Sequence, residues 1–165
     1  PFAVLLGDDI IHSKQPVIGQ LIDVFNETGT SVIAVEEVPW ESVSSYGVIS
    51  VKEKESERLY ELGEMVEKPP RSEAPSNLAI IGRYILTPEI FPMLEKTRQD
   101  KSGEIQLTNA MKMLLGTQKI SGCQFAGKRY DAGNKLGFLK ATVEFALRRD
   151  DLGGEFRSYL KELDI

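Results

Sequence analysis

The sequence has very few of the side chains on which most covalent catalysis depends. Its 165 residues include one cysteine, Cys123, and one histidine, His12. A single cysteine cannot form an internal disulfide, so nothing indicates a secreted disulfide scaffold and a cytoplasmic location is expected. No serine or cysteine stands in a recognisable nucleophile elbow with His12, which argues against a hydrolase with a catalytic triad.

Excess positive charge and long apolar runs are also missing. The net charge is −5, whereas a general nucleic-acid surface is normally basic. No apolar run approaches the roughly 18 residues of a membrane span, and no basic region precedes an apolar one at the start. We therefore expect neither a nucleic-acid partner nor a membrane partner. Any anionic substrate must be held by local positive charge.

The common phosphate-binding loops cannot be found either. The sequence contains no G-x-x-x-x-G-K-[ST] motif and no G-x-G-x-x-G motif after a strand. Neither a Walker-type ATPase nor a dinucleotide-dependent oxidoreductase is supported.

What remains is the pattern of an α/β protein with a mixed sheet. The composition, 41% hydrophobic and 27% charged, is that of a globular protein, and the length fits one domain, residues 1–165. Apolar periodicity predicts strands in residues 2–6, 30–39, 76–86 and 123–133, a hairpin in 48–69, and helices in 16–29, 89–99, 104–115, 134–150 and 155–164. The strand–helix–strand order at the start predicts that the first two strands run parallel.

The opening stretch, "FAVLLGDDII", combines an apolar run with two acids. A continuous apolar run bounded by glycine is typical of a strand buried on both faces. Asp8 and Asp9 would then lie at the carboxyl end of that strand, where open α/β sheets bind ligands, so they are candidates for handling a metal or a phosphate. An ordinary polar turn after a strand is the alternative.

A second candidate lies in "GEMVEKPPRSEAPSNLAIIGRYIL". Glu67 and Lys68 end a predicted strand, and Pro69 and Pro70 prevent the strand from continuing. Taken alone, this is also how a charged strand end before a turn would look.

Six segments together are more specific. "LLGDDI", "VPWESVSSYGVI", "VEKP", "SNLAIIGRYIL", "GEIQLTNAM" and "YDAGNKLGFLKA" occur in the order and spacing of the bacterial UTP-glucose-1-phosphate uridylyltransferases, or UDP-glucose pyrophosphorylases, which this sequence resembles over essentially its whole length. The resemblance implies a Rossmann-like nucleotide-diphospho-sugar transferase fold. It also implies formation of UDP-glucose and pyrophosphate from UTP and glucose 1-phosphate, with Mg²⁺, in a homo-oligomer.

The resemblance also implies roles for single residues. Asp8, the first acid of "GDD", would be a metal ligand, with Asp9 the less certain of the two. Asp131 of "YDAG" matches the place where related thymidylyltransferases hold metal from the far side. Mg²⁺ commonly takes only one or two carboxylates, with substrate and water completing its octahedron.

The remaining implied roles concern the sugar phosphate. Gly47 would offer its backbone to the sugar, Glu67 would bind sugar hydroxyls, and Lys68 would reach the phosphate. Asn77 to Gly82 would line the sugar pocket. Since the attacking phosphate oxygen is already anionic, no general base is needed, and positioning with charge neutralisation would carry catalysis.

One departure from the family is clear. These enzymes open with a glycine-rich G-x-G-T-R-x-x-P-x-T loop that wraps the nucleotide, and this sequence has none. We therefore expect the carboxyl-terminal part of such an enzyme, incomplete at its amino-terminal side and inactive alone. Thymidylyl or cytidylyl transfer, and a non-catalytic sugar-phosphate-binding regulatory module, remain alternatives.

Overall fold

The computed structural model describes residues 1–100 and 103–163, which contain eight strands and five α-helices. The strands are β1 (Phe2–Leu5), β2 (Asp9–His12), β3 (Ser31–Glu37), β4 (Gly47–Lys54), β5 (Leu59–Glu67), β6 (Leu78–Leu86), β7 (Ile120–Gln124) and β8 (Lys128–Asp131). The helices are α1 (Val17–Thr28), α2 (Ile90–Lys96), α3 (Leu107–Leu115), α4 (Lys135–Leu147) and α5 (Gly153–Glu162). Short 3-10 helices span Trp40–Ser45 and Arg71–Glu73.

These elements divide between two compact units. The first comprises residues 1–6 and 13–127, and the second comprises residues 7–12 and the chain from residue 128 onward. The first unit contains a six-stranded sheet in the order β1-β6-β3-β7-β5-β4. β3 and β7 are parallel, whereas β6 is antiparallel to β1 and β3, and β5 is antiparallel to β4 and β7. The predicted mixed sheet and the predicted hairpin in residues 48–69 are thus confirmed.

The core of the first unit is centred on β3. Residues 31–35 of β3 are fully buried, so both faces of this strand are covered. Ile33 belongs to one apolar cluster with Met111 and Leu114 of α3, while α1 packs on β3 and β6. Burying a side chain of this size contributes about 1.5–3 kcal/mol relative to leaving it exposed. This packing fixes the positions of β5 and α3, which carry candidate site residues.

The expectation of a first strand buried on both faces is wrong for this chain. In β1, burial alternates, and Leu5 is 53% exposed. β1 pairs with β6 at one edge of the sheet, and no other strand in the described part of the chain pairs with it. The edge position explains the exposure. β1 and β3 do run in the same direction, as predicted, but β6 lies between them.

The sheet of the second unit also differs from the sequence-based prediction. The acids after β1 do not merely end a strand, because Asp9 begins β2. Residues 123–133 form the end of β7 and a separate strand, β8, rather than one strand. β2 pairs with β8 antiparallel, joining Asp9 to Asp131. A four-residue strand whose partner is so distant in sequence leaves little periodicity to detect.

The second unit consists of this β2–β8 pair with α4 and α5. Asn134 caps α4, its side-chain oxygen accepting a hydrogen bond from the Gly137 backbone at 2.7 Å. On α4, hydrogen bonds from Lys128 and Arg148 lower the pKa of Glu144 to about 2. None of the helices in the described residues is both long enough and apolar enough to cross a bilayer.

The end of α1 gives a direct test of the backbone geometry. Gly29 has φ 67° and its backbone N–H donates to the Phe25 carbonyl at 2.7 Å. Gly29→Ala is expected to lower the free energy of unfolding by about 1 kcal/mol, because L-residues are strained in the left-handed region. The free energy is measured by urea titration.

Gly19→Ala, inside the same helix, is the matched control. The added methyl group would meet Gln15 at 3.7 Å, an ordinary contact. Because alanine favours the helix, this variant is expected to gain about 0.5–1 kcal/mol. Changes of the same sign in both variants would contradict the assignment of Gly29 as the left-handed stop.

Candidate functional site

Two of the predicted metal ligands come together in the second unit. A β-carbon added to Gly133 would lie 3.0 Å from Asp8 Oδ2 and 3.1 Å from Asp131 Oδ1. The two carboxylates thus converge on one point, the space left by the missing side chain of Gly133. We call Asp8 and Asp131 the carboxylate pair.

Local hydrogen bonds hold this pair. The turn at Gly7–Asp8 precedes β2, and the Ala132 backbone N–H donates to the Asp8 carbonyl at 2.7 Å. The Gly133 backbone N–H donates to Asp131 Oδ1 at 3.0 Å. The side chain of Asp131 is therefore held by the turn that leads into α4.

Asp9 has a different environment from Asp8. It is 7% exposed and forms an ion pair with Arg129 Nε across the β2–β8 pair. Arg129 also lies near the carboxylate pair, with Nη2 3.8 Å from Asp131 Oδ2. Removing one partner from a buried pair leaves an uncompensated charge, so Asp9 has a structural role. Asp8, by contrast, is exposed.

The donor set fits magnesium and does not form a closed protein cage. Within residues 1–100 and 103–163, no group of three or more histidine, cysteine, aspartate or glutamate side chains could hold a metal ion. Two carboxylate oxygens beside a surface glycine are hard donors, and Mg²⁺ is usually held by one or two carboxylates and by substrate phosphates. Mg²⁺ at the carboxylate pair stays a prediction.

Gly47 and Glu67, the residues predicted to bind the sugar, are directly opposite each other on β4 and β5. A β-carbon on Gly47 would lie 3.0 Å from Glu67 Oε2, 3.0 Å from Thr108 Oγ1 and 3.2 Å from Ile80 Cδ1. These contacts are tighter than is usual for a β-carbon, so the carboxylate of Glu67 packs closely against Gly47 and a larger residue would require small shifts of its neighbours. The predicted approach of the Gly47 backbone to the sugar stays a prediction, because the neighbours seen at Gly47 are side chains of the protein itself.

Lys68 follows β5 in a strained conformation. Its φ is 43°, and no other non-glycine residue in the described part of the chain has a positive φ. The Lys68 backbone N–H donates to the Tyr46 carbonyl at 3.0 Å, and its side chain is 57% exposed with Nζ 3.9 Å from Glu67 Oε1. Strain of this kind is concentrated at functional sites, which favours a role for Lys68.

Asn77 directly precedes β6 and Gly82 lies within it, and the structure does not bring the two together. The Asn77 side chain donates to the Val38 carbonyl at 3.0 Å, which ties the start of β6 to the chain after β3. The Gly82 carbonyl accepts from the Leu6 N–H at 2.9 Å, between β6 and β1. At about 3.3 Å per residue, five residues separate their backbones by roughly 16 Å. Ile80 lies between them in the sequence, and its side chain is close to Gly47. Their binding roles stay predictions.

A cavity of about 510 Å³ opens beside Glu67 and Lys68. Its other wall includes Gln106, Asn109 and Lys112, which sequence reasoning did not single out. The sequence does contain a pattern that could have identified them: the three residues are spaced three apart, and residues with this spacing lie on one face of a helix. The family resemblance includes "GEIQLTNAM" as a motif but assigns no role to its side chains.

The single cysteine and the single histidine are not part of these sites. Cys123 is buried in β7, and burial raises the pKa of its thiol above the usual range. A protonated, buried thiol is a poor nucleophile. His12 packs edge-on against the Phe145 ring with centroids 6.0 Å apart.

Comparisons with known proteins show the family to which the chain belongs. Residues 1–147 match the family model described as nucleotidyl transferase. The chain belongs to the nucleotidyl transferase family. It is 51% identical over 165 residues to a UTP–glucose-1-phosphate uridylyltransferase from Staphylococcus epidermidis, a match that covers 100% of this chain and 57% of that protein. The predicted resemblance to the uridylyltransferases is confirmed.

Solved structures of this family have the same fold. UDP-glucose pyrophosphorylase complexed with UDP-glucose aligns with a TM-score of 0.85 at 44% identity, covering 90% of this chain and 57% of that one. UTP-bound UGPase from Acinetobacter baumannii aligns with a TM-score of 0.86 at 37% identity, covering 99% and 56%. The predicted nucleotide-diphospho-sugar transferase fold is confirmed. The chain spans 57% of the length of the first of these relatives.

The close approach at Gly47 can be tested by adding one methyl group. Gly47→Ala is expected to lower the free energy of unfolding by about 1–3 kcal/mol, because three packed side chains must move. Gly7→Ala is the control, since nothing lies within 4 Å of its added β-carbon. Equal urea-unfolding free energies for the two variants would show that Glu67 and Thr108 move aside without cost.

Proposed function

We propose that the full-length protein carrying this chain forms UDP-glucose and pyrophosphate from UTP and glucose 1-phosphate with Mg²⁺. In this proposal, the chain supplies the metal-binding carboxylates and the sugar-phosphate pocket. The observation that carries the proposal is the convergence of Asp8 and Asp131 on Gly133 in a chain of this family. The names of the relatives, uridylyltransferase and UDP-glucose pyrophosphorylase, support the choice of substrates.

The proposed chemistry needs charge neutralisation rather than proton transfer. The attacking group is a phosphate oxygen that is anionic at neutral pH, so catalysis depends on holding two polyanions in line. Bound Mg²⁺ would neutralise phosphate charge, and Asp8 and Asp131 are the residues that would hold it. The chain's lack of a histidine–nucleophile pair is consistent with this mechanism.

The residues of the first unit have complementary tasks. Lys68 presents an exposed ammonium to the incoming phosphate, as a compact point charge on a flexible stem. Glu67 accepts hydrogen bonds from sugar hydroxyls, because an ionised carboxylate offers only acceptors. Gly47 keeps the space above its backbone open to Glu67. Together they orient glucose 1-phosphate, because Lys68 binds its phosphate and Glu67 binds its sugar hydroxyls.

Asp8→Asn is expected to lower turnover by about two orders of magnitude or more, because it removes a metal ligand and no core packing. Pyrophosphate release by the full-length protein is measured over a range of Mg²⁺ concentrations, with circular dichroism to confirm the fold. Asp150→Asn is the matched control, an exposed aspartate in the same unit. Activity of Asp8→Asn within a few-fold of the control would refute the metal assignment.

Lys68→Ala is expected to lower kcat/KM for glucose 1-phosphate more than kcat/KM for UTP, since its charge is assigned to the sugar phosphate. Alanine, like lysine, is an L-residue that is strained at a positive φ, so the substitution chiefly removes the ammonium. Lys14→Ala, at an exposed lysine, controls for the loss of one charge. Equal losses for both substrates would place Lys68 on the shared transition-state phosphates, and no loss would leave it a strand-end lysine.

A further inference from the structure

The wall of the cavity formed by α3 carries a side chain for which the fold has no evident use. Asn109 is half-buried and lines the 510 Å³ cavity beside Glu67 and Lys68. In the described part of the chain, the amide of Asn109 has no hydrogen-bond partner. An amide that lines a cavity and has no partner within the protein is available to hydrogen-bond a ligand there.

The polar residues on either side of Asn109, unlike Asn109 itself, are hydrogen-bonded within the protein. Gln106 donates through Nε2 to Asp100 Oδ2 at 2.8 Å and to Glu104 Oε2 at 3.1 Å. Lys112 donates through Nζ to Glu64 Oε1 at 3.1 Å. Both side chains therefore stabilise the surrounding loop and β5. Asn109 lies between them on the same face of the helix, and both the oxygen and the nitrogen of its amide are available.

The charge of the cavity indicates what it can bind. Two carboxylates, Glu67 and Asp100, and two ammonium groups, Lys68 and Lys112, line it. Their charges cancel, so the cavity does not favour a polyanion such as a triphosphate. Its volume lies in the range of small-ligand pockets. A neutral polyhydroxylated body with one phosphate near Lys68 matches this distribution.

We propose that Asn109 is a specificity-determining residue that donates a hydrogen bond to one hydroxyl of the hexose. The inference rests on the proposed function in taking hexose 1-phosphate as the ligand. Carboxylates can only accept hydrogen bonds, so Glu67 binds hydroxyl hydrogens, whereas the Asn109 amide nitrogen serves a hydroxyl oxygen. A site with both kinds of group distinguishes hydroxyl positions, which charge alone cannot do.

The test pairs a protein variant with substrates that each lack one hydroxyl. In the full-length protein, Asn109→Ala is expected to lower kcat/KM for glucose 1-phosphate about three- to tenfold, the size of one neutral hydrogen bond. The ratio of wild type to variant is then measured with the 2-, 3-, 4- and 6-deoxy analogues. For one analogue the ratio should fall to one, because the hydroxyl served by Asn109 is absent.

Two further variants make the result specific. Asn109→Asp keeps the shape but replaces the donor with an acceptor, so it should lose at least as much as Asn109→Ala. Asn26→Ala, on the exposed face of α1, should change nothing. An Asn109→Asp variant with wild-type kcat/KM would overturn the donor assignment. So would an equal ratio for glucose 1-phosphate and all four analogues.

A binding measurement separates this inference from the proposed function. Saturation-transfer NMR follows glucose 1-phosphate on the full-length protein without any turnover. Binding that weakens in Asn109→Ala supports the inference even where no UDP-glucose is formed, in which case only the proposed function fails. Absence of binding to the wild-type protein, or equal binding to wild type and Asn109→Ala, overturns the inference.

Discussion

In each of the two units, the candidate site depends on carboxylates that pack closely against a glycine, 3.0 to 3.1 Å from where its β-carbon would be. Glu67 lies over Gly47, and Asp8 and Asp131 meet at Gly133. Strand register controls both arrangements, because Gly47 is opposite Glu67 on the β4–β5 pair and Asp9 is opposite Asp131 on the β2–β8 pair. A slip of one residue would turn every side chain of a strand to the other face. The packing that fixes the register therefore also fixes the chemistry.

The same constraint explains the strain at Lys68. β5 must end with Glu67 opposite Gly47, and the next residue donates its backbone N–H to Tyr46 before Pro69 turns the chain away. A left-handed conformation at Lys68 meets both requirements. Glycine would adopt this conformation with less strain but would remove the ammonium. The role proposed for Lys68 would account for a lysine at this position despite the backbone cost.

Much of the fold could be predicted from the sequence, because its long elements have strong local signals. The hairpin of β4 and β5, the helix α1 with its stop at Gly29, and the central strands β3 and β6 all carry clear periodicity. The exposure of β1 and the pairing of β2 with β8 could not be predicted in this way, since they depend on partners distant in sequence. An apolar run looks the same at an edge as in the centre of a sheet.

The site was predictable to a different degree, because motifs preserve the identity of residues but not their contacts. The motif includes both Asp8 and Asp9, and the ion pair of Asp9 with Arg129 shows that the two carboxylates have different environments. The resemblance assigns no role to any side chain of "GEIQLTNAM". The structure, however, distinguishes Asn109 from its hydrogen-bonded neighbours Gln106 and Lys112. In the proposed function, an acidic chain binds anionic substrates without general positive charge: Asp8 and Asp131 would hold a cation, Lys68 would meet a phosphate, and the charge-balanced cavity would bind hydroxyl groups.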